Sequence, residues 1–189
     1  MRRIYYSTRR SDEGVVLHVL FVCTGNVCRS PTAERLAAAY ARSLNIVGFR
    51  ASSAGTRAVI GHPIHPDAAS VLESLGGDAS DFSARQLTAK IISGADLTLT
   101  MTAAHRDAVL EAAPHKLNCT FTLGEASRLV STCNAQTVAD LAVLRPHLAI
   151  HERADVFDPI GHDVEVFESV GVQIAELLPP IIDLCRRST

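Results

Sequence analysis

The sequence predicts an α/β fold of three layers, a central four-stranded parallel sheet with helices packed over both faces. Three observations carry this reading. From Val15 onward short apolar runs alternate with amphipathic stretches, the order of strand–helix–strand units with parallel strands. The helical stretches carry boundary residues, Pro31 and Pro66 at two starts and Gly76-Gly77 at one end. The first apolar run, Val15 to Val22, is followed at once by the octet CTGNVCRS and then by a helical run. A right-handed strand–loop–helix joint of this kind lies at the carboxyl end of its strand, where open α/β sheets hold ligands.

In chain order, residues 1–14 carry Arg2, Arg3, Arg9 and Arg10 with little to bury, and read as a mobile arm ahead of a single domain over 15–189. Strands are expected at 15–22, 48–53, 96–101 and 117–123. A helix over 31–45 opens on Ser30-Pro31-Thr32, with the proline where a first turn tolerates it. A second, over 66–75, opens on His65-Pro66-Asp67 and closes on the glycine pair, and a third fits 103–112. The stretch 124–151 reads as one or two helices, with Pro146 near its end. Over 163–185, Val164, Phe167, Val170, Ile174, Leu177 and Ile181 recur at helical spacing and form a core face, while Pro179 and Pro180 are expected to kink or interrupt the helix.

Composition narrows the function. With 18 basic against 20 acidic side chains and a net charge of -2, no global field gathers nucleic acid or anionic lipid, so anion binding has to be local. Five cysteines, an odd number without a recognisable secretion signal, read as reduced thiols of a cytoplasmic protein. The eight-residue run Val15 to Val22 is too short to span a membrane.

The octet Cys23 to Ser30 has the chemistry of an oxyanion cradle. Small residues between a strand and a helix present consecutive backbone amides, and the helix adds its positive end. Gly25 and Asn26 tolerate the left-handed backbone that such a loop requires, and the missing Gly-Lys-Ser/Thr ending excludes a Walker-type loop. Arg29 supplies a planar fork for two phosphoryl oxygens. The same amides and guanidinium favour the thiolate of Cys23, and Ser30 is placed to donate a hydrogen bond to it. Cys28, in the same loop, offers Cys23 a partner for a reversible disulfide under peroxide.

The run from Phe21 to Glu34 resembles the low-molecular-weight protein tyrosine phosphatases. The likeness extends through SSAGT at Ser52–Thr56, SARQLT at Ser83–Thr88, the stretch Ala95 to Val109, and FDPIGHDVEVFESV at Phe157–Val170. It implies a cysteine-dependent phosphatase without metal or cofactor. The substrate is a phosphorylated protein or a small aryl phosphate, and inorganic phosphate is the product. On that reading Cys23 is the nucleophile that becomes a cysteinyl-phosphate, Arg29 the phosphate clamp and Ser30 the thiolate's partner. Thr24, Gly25, Asn26, Val27 and Cys28 complete the phosphate-binding loop, with Asn26 bracing it. Asp158, in the only Asp-Pro pair of the chain, protonates the leaving oxygen.

Departures bear on specificity. Tyrosine-specific members carry aromatic residues after the Asp-Pro pair and after the SAGT segment, where this chain has Ile160, Gly161 and Ala58, Val59, Ile60, so a phosphotyrosine ring is expected to meet aliphatic walls only. An arginine phosphatase is the first alternative, although that branch tends to carry threonine at the position of Val27. An arsenate reductase lacks its relay cysteines here, because none lies between Gly76 and Met101, and a non-catalytic phosphoanion-binding module usually loses the nucleophile or the acid. His147 and His151, spaced i, i+4 beside Glu152, read as a solvated helix end, His62 and His65 as exposed loop residues near the site, and His18 as a core histidine with a hydrogen-bond partner.

Overall fold

The computed structural model describes residues 17–148 and 155–188. The 1–14 segment, His151 and Glu152 lie outside the described residues. Strands Leu17–Cys23 (β1), Phe49–Gly55 (β2), Leu97–Thr100 (β3) and Thr120–Thr122 (β4) form one all-parallel sheet in the order β2-β1-β3-β4. Central β1 pairs with β2 along its whole length, Cys23 opposite Gly55, and with β3 on its other side, Val22 opposite Thr100.

Strand periodicity divides the core. Val19, Phe21 and Cys23 point into the larger cluster, with Leu36, Leu72, Phe121, Leu129, Ile174 and Leu178 of the covering helices, whereas Leu20 and Val22 point the other way, onto Ile92 and Val109. The first layer is built by Arg29–Ser43 (α1), Pro66–Ser74 (α2), Leu123–Cys133 (α5), Val138–Leu144 (α6) and Val164–Ser188 (α7), the opposite one by Ala89–Ser93 (α3) and Ala103–Ala112 (α4). Burial on both faces explains why β1 reads as an apolar run broken only by His18. His18 is half-buried and has the partners expected of it, Gly94 O at 2.8 Å from Nδ1 and Ser52 Oγ at 2.6 Å from Nε2.

Several boundaries differ from the sequence reading. The first helix starts at Arg29, two residues early, which makes Pro31 its third residue, still among the amides that have no intrahelical acceptor. At the end of α2, Gly76 takes a φ of +86° and Gly77 N–H donates to Leu72 O at 2.9 Å, the left-handed closure that the glycine pair implies. Pro179 and Pro180 do not interrupt α7, which runs unbroken through them. A proline inside a helix costs about 3 kcal/mol, but Ile174 and Leu178 before the pair and Ile181, Ile182 and Leu184 after it are buried, each stabilising by roughly 1.5–3 kcal/mol, so packing decides. On the core face of α7, Val164 is exposed, and Leu178 is buried in addition to the residues that the spacing picked out.

The ambiguous 124–151 stretch yields α5, α6 and a 3-10 turn at Arg145–His147. Its docking is polar as well as apolar. Glu125, fully buried, closes a capping box with Thr122 and meets Arg145 Nε at 3.2 Å. The same guanidinium lies 3.9 Å over the Phe121 ring and donates to Thr120 O, which staples the segment to β4.

Candidate active site

The loop Thr24–Cys28 carries the chain from β1 into α1, and its polarity follows from where its carbonyls go. Cys23, Thr24, Gly25 and Val27 each accept an amide from the segment after β2, namely Thr56, Arg57, Val59 and His65, at 2.7–2.9 Å. With the carbonyls held on the outside, the amides of Gly25 to Cys28 meet no acceptor among the described residues, and they curl around the start of α1. This is the amide hollow expected for an oxyanion. Asn26 takes the left-handed conformation, φ +55°, whereas Gly25 does not. The tight approach is made by Gly55, where a Cβ would lie 2.4 Å from Thr24 O.

A hydrogen-bond chain runs behind this hollow. Cys23 Sγ lies 2.9 Å from Ser30 Oγ, Asn26 Nδ2 donates to Ser30 Oγ at 3.0 Å and to Ser53 Oγ at 2.8 Å, and Ser53 donates to Glu34 Oε2 at 2.6 Å. Ser30 accepts from Asn26 and keeps its own hydrogen to offer the sulfur once Cys23 is ionised, the polarity that stabilises a thiolate. Arg85 N–H donates to Asn26 Oδ1 at 2.9 Å, so the Asn26 side chain is fixed at both ends. Burial pushes the Glu34 carboxyl up, and the Ser53 hydrogen bond opposes that shift. Burial likewise pushes the Cys28 thiol up to about 12, with nearby Cys23 adding and Arg29 opposing, so Cys28 is protonated at neutral pH.

Arg29, 4% exposed, opens α1 and crosses to the segment ahead of α7. Its Nη1 donates to Val156 O at 3.2 Å and its Nη2 to Asp158 Oδ2 at 2.5 Å. Buried Val156 also donates its amide to Met101 O at 2.8 Å, and Asp155 Oδ1 accepts the Ala103 amide at the start of α4 at 2.9 Å. In that same turn His105 lies with Nε2 2.8 Å from Thr24 Oγ1 and Nδ1 2.8 Å from Thr102 Oγ1. Burial, then Arg29, hold its pKa down at about 4, so the imidazole is neutral near pH 7.

Beside the loop opens a cleft of about 310 Å³ lined by Val27, Val59, Pro63, Ile64 and Ile160, together with His62 and His65. The aliphatic expectation is therefore corrected: two imidazoles join the wall, His65 stacked on Phe167 at 4.9 Å, because the 56–65 segment that pins the loop carries them there. An adjoining half-exposed aromatic, Phe157, stands tilted against His162 at 5.2 Å.

The residues singled out in the sequence, Cys23 to Ser30 and Asp158, converge on one site. The sequence reading missed Ser53, Glu34 and Arg85, which fix Asn26, and His105, which meets Thr24. A local signal existed for His105: Thr102 is an N-cap, and the third residue of the helix folds back onto it. The others act across 19 to 59 residues of chain.

The chain has clear relatives. The family model for low molecular weight phosphotyrosine protein phosphatase matches residues 18–128. EpsP of Ralstonia nicotianae, a probable low molecular weight protein-tyrosine-phosphatase, is 38% identical over 107 residues, 57% of this chain and 70% of its own length. A protein-arginine-phosphatase of Geobacillus stearothermophilus is 31% identical over 160 residues, 85% of this chain and 90% of its own length. Such a span within 189 residues has to include Asp158, which lies beyond the family-model match. The crystal structure of a low molecular weight protein tyrosine phosphatase from T. tengcongensis superposes with a TM-score of 0.71 at 32% identity, covering 88% of this chain and 98% of that one.

Proposed function

The chain belongs to the low molecular weight phosphotyrosine protein phosphatase family, whose members are cysteine-dependent phosphatases, and from that premise we propose that it hydrolyses phosphotyrosine in proteins through a cysteinyl-phosphate on Cys23. One observation carries the assignment of roles: the amide hollow, the Cys23 sulfur with the Ser30 hydroxyl 2.9 Å behind it, and the Arg29–Asp158 pair all meet at one loop.

The dianion enters the hollow of the Gly25–Cys28 amides, and Arg29 takes two of its oxygens, which releases Asp158 towards the leaving oxygen. Cys23 sulfur attacks phosphorus as the bond to the leaving oxygen breaks, and Asp158 gives that oxygen its proton. Water then attacks the cysteinyl-phosphate, the Asp158 carboxylate takes its proton, and inorganic phosphate leaves with the thiolate restored. Ser30 stabilises that thiolate, and the loop amides hold the equatorial oxygens throughout.

Two features support a tyrosine substrate over arginine. Val27 stands in the cleft wall, and that wall offers apolar and ring surfaces to a phenyl group. The arginine phosphatase among the relatives supplies the competing reading. A cytoplasmic location fits both, since all five cysteines are free thiols, the state that a reducing compartment maintains. No helix among the described residues is long and apolar enough to cross a membrane.

The test is kcat/KM on matched phosphotyrosine, phosphoserine and phosphoarginine peptides. Phosphotyrosine is expected to lead, and Val27→Thr to shift the ratio towards phosphoarginine. A wild-type preference for phosphoarginine overturns the substrate assignment and leaves the cysteine chemistry standing.

A further inference from the structure

The first turn of α4 touches both halves of the site. On one side His105 reaches Thr24, the residue that follows Cys23 in the chain, at 2.8 Å. On the other, the Ala103 amide of the same turn holds Asp155 at 2.9 Å, and Met101 just before it holds Val156 at 2.8 Å. Asp158 lies three residues beyond Asp155, so one helix turn bridges the loop that carries the sulfur and the segment that carries the carboxylate.

We propose that His105 is a positioning residue that sets the nucleophile loop against the acid-bearing segment. The inference rests on the reading of Cys23 as nucleophile and Asp158 as acid. His105 suits this role because it is 7% exposed and tied at both ring nitrogens, to Thr24 Oγ1 and to the Thr102 hydroxyl that caps its own helix. Thr102 Oγ1 also accepts the His105 amide at 3.3 Å, so ring and helix turn are locked together. The charged groups acting on the ring are Arg29 and Arg57, which oppose its protonation, and Asp158 and Asp155, which favour it. Burial and the arginines prevail, and the link works as a neutral one over the usual assay range.

Registration matters because the leaving oxygen must meet the Asp158 proton while phosphorus meets sulfur, and a displacement of about 1 Å can cost on the order of 100-fold. Loosening the Thr24 link should therefore resemble a partial loss of the acid. It should hurt substrates whose leaving oxygen needs a proton more than those whose leaving oxygen does not.

The test is single-turnover and steady-state kinetics of His105→Phe and Thr24→Val on a series running from phenyl phosphate to 4-nitrophenyl phosphate, with thermal melts alongside. Each variant is expected to lose about 10- to 100-fold in kcat on phenyl phosphate and only a few-fold on the nitrophenyl ester, with KM little changed. His105→Gln, which keeps a polar atom near Thr24, should recover most of the loss. On an Asp158→Ala background, His105→Phe should add little on phenyl phosphate, because the proton it helps to align is gone.

A His105→Phe deficit that is equal across the series, or as large without Asp158 as with it, overturns the proposal. So does wild-type behaviour in Thr24→Val, which decides the matter even if His105→Phe fails to fold. Asp158→Ala alone serves as the control for the underlying reading: if it shows no dependence on leaving group, the acid assignment fails, separately from any result at His105.

Discussion

The two halves of the site are held in opposite ways. On the nucleophile side Cys23 is 3% and Arg29 4% exposed, four loop carbonyls are bonded outward, and Asn26 is fixed at both ends of its amide. On the acid side the Asp158 side chain is 47% exposed, with exposed Phe157 and Ile160 around it, and only Val156 and Pro159 are buried to anchor the segment. The difference follows the chemistry. A phosphoryl dianion is the same in every substrate and is best met by dipoles fixed before it arrives. The leaving group changes from one substrate to the next and needs an open side by which to enter and depart.

The sharpest way to break this comparison is to remove the fixed side's reactive atom. Cys23→Ser should lose about 10⁴-fold or more in turnover while vanadate binding, measured by calorimetry, partly persists in the amide hollow. Arg29→Lys should weaken both, because an ammonium cannot replace the fork to two oxygens and to Val156. Retained turnover in Cys23→Ser removes the nucleophile assignment. On the open side, Asp158→Ala should slow phenyl phosphate by about 10²- to 10⁴-fold, with a deficit that shrinks as the leaving phenol becomes more acidic. Asp155→Ala and Asp163→Ala should show no such trend, and a constant Asp158→Ala deficit would make the residue a turn-former.

Smaller effects test how rigid the fixed side is. A Cβ on Gly55 would press on Thr24 O, and the backbone has little room to give, so Gly55→Ala should cost about 1–3 kcal/mol. That corresponds to a fall in Tm of roughly 2–4 °C per kcal/mol, read by calorimetry. Activity should fall with it, and an unchanged Tm would show that the loop yields more easily than its bonding implies.

A further effect is in pH dependence. The folded pKa of His105, about 4, lies below its ordinary 6.5, so the unfolded chain takes up the proton first as pH falls. This contribution is complete above pH 6.5, is lost between 6.5 and 4, and levels off below. Denaturant titrations across that window should show wild type losing more stability than His105→Phe, and equal slopes would mean that the ring is not held neutral.

How much of this could be read in the sequence follows from the distance over which each residue acts. The octet was legible because its function is local: a strand end, a left-handed Asn26 and an arginine opening a helix lie within eight residues. The alternation of runs likewise gave four parallel strands within a few residues of their true ends. Asp158 was a plain turn signal until the family likeness singled it out. Ser53 and Arg85 were not legible, although the segments that contain them were, because their contacts exist only once β2 lies beside β1 and the 83–88 segment folds onto its end. Proline rules failed at Pro179-Pro180 for a related reason, since local propensity has no knowledge of the buried face on either side.

The anchoring of Asp158 bears on how this chain can vary over evolutionary time. The carboxylate is located by its own bond to Arg29, by the Val156–Met101 bond and by the Asp155 bond to the start of α4, so every anchored residue on its side lies within three residues of it. The helices between β4 and Asp155 are secured separately, through Arg145 to β4 and Glu125. Residues added between those two moorings leave both sets of bonds intact, and doubling the length of a loop costs in general only about 0.6 kcal/mol. That interval is therefore where lineages can acquire new sequence, and with it new surface, without retuning the reaction.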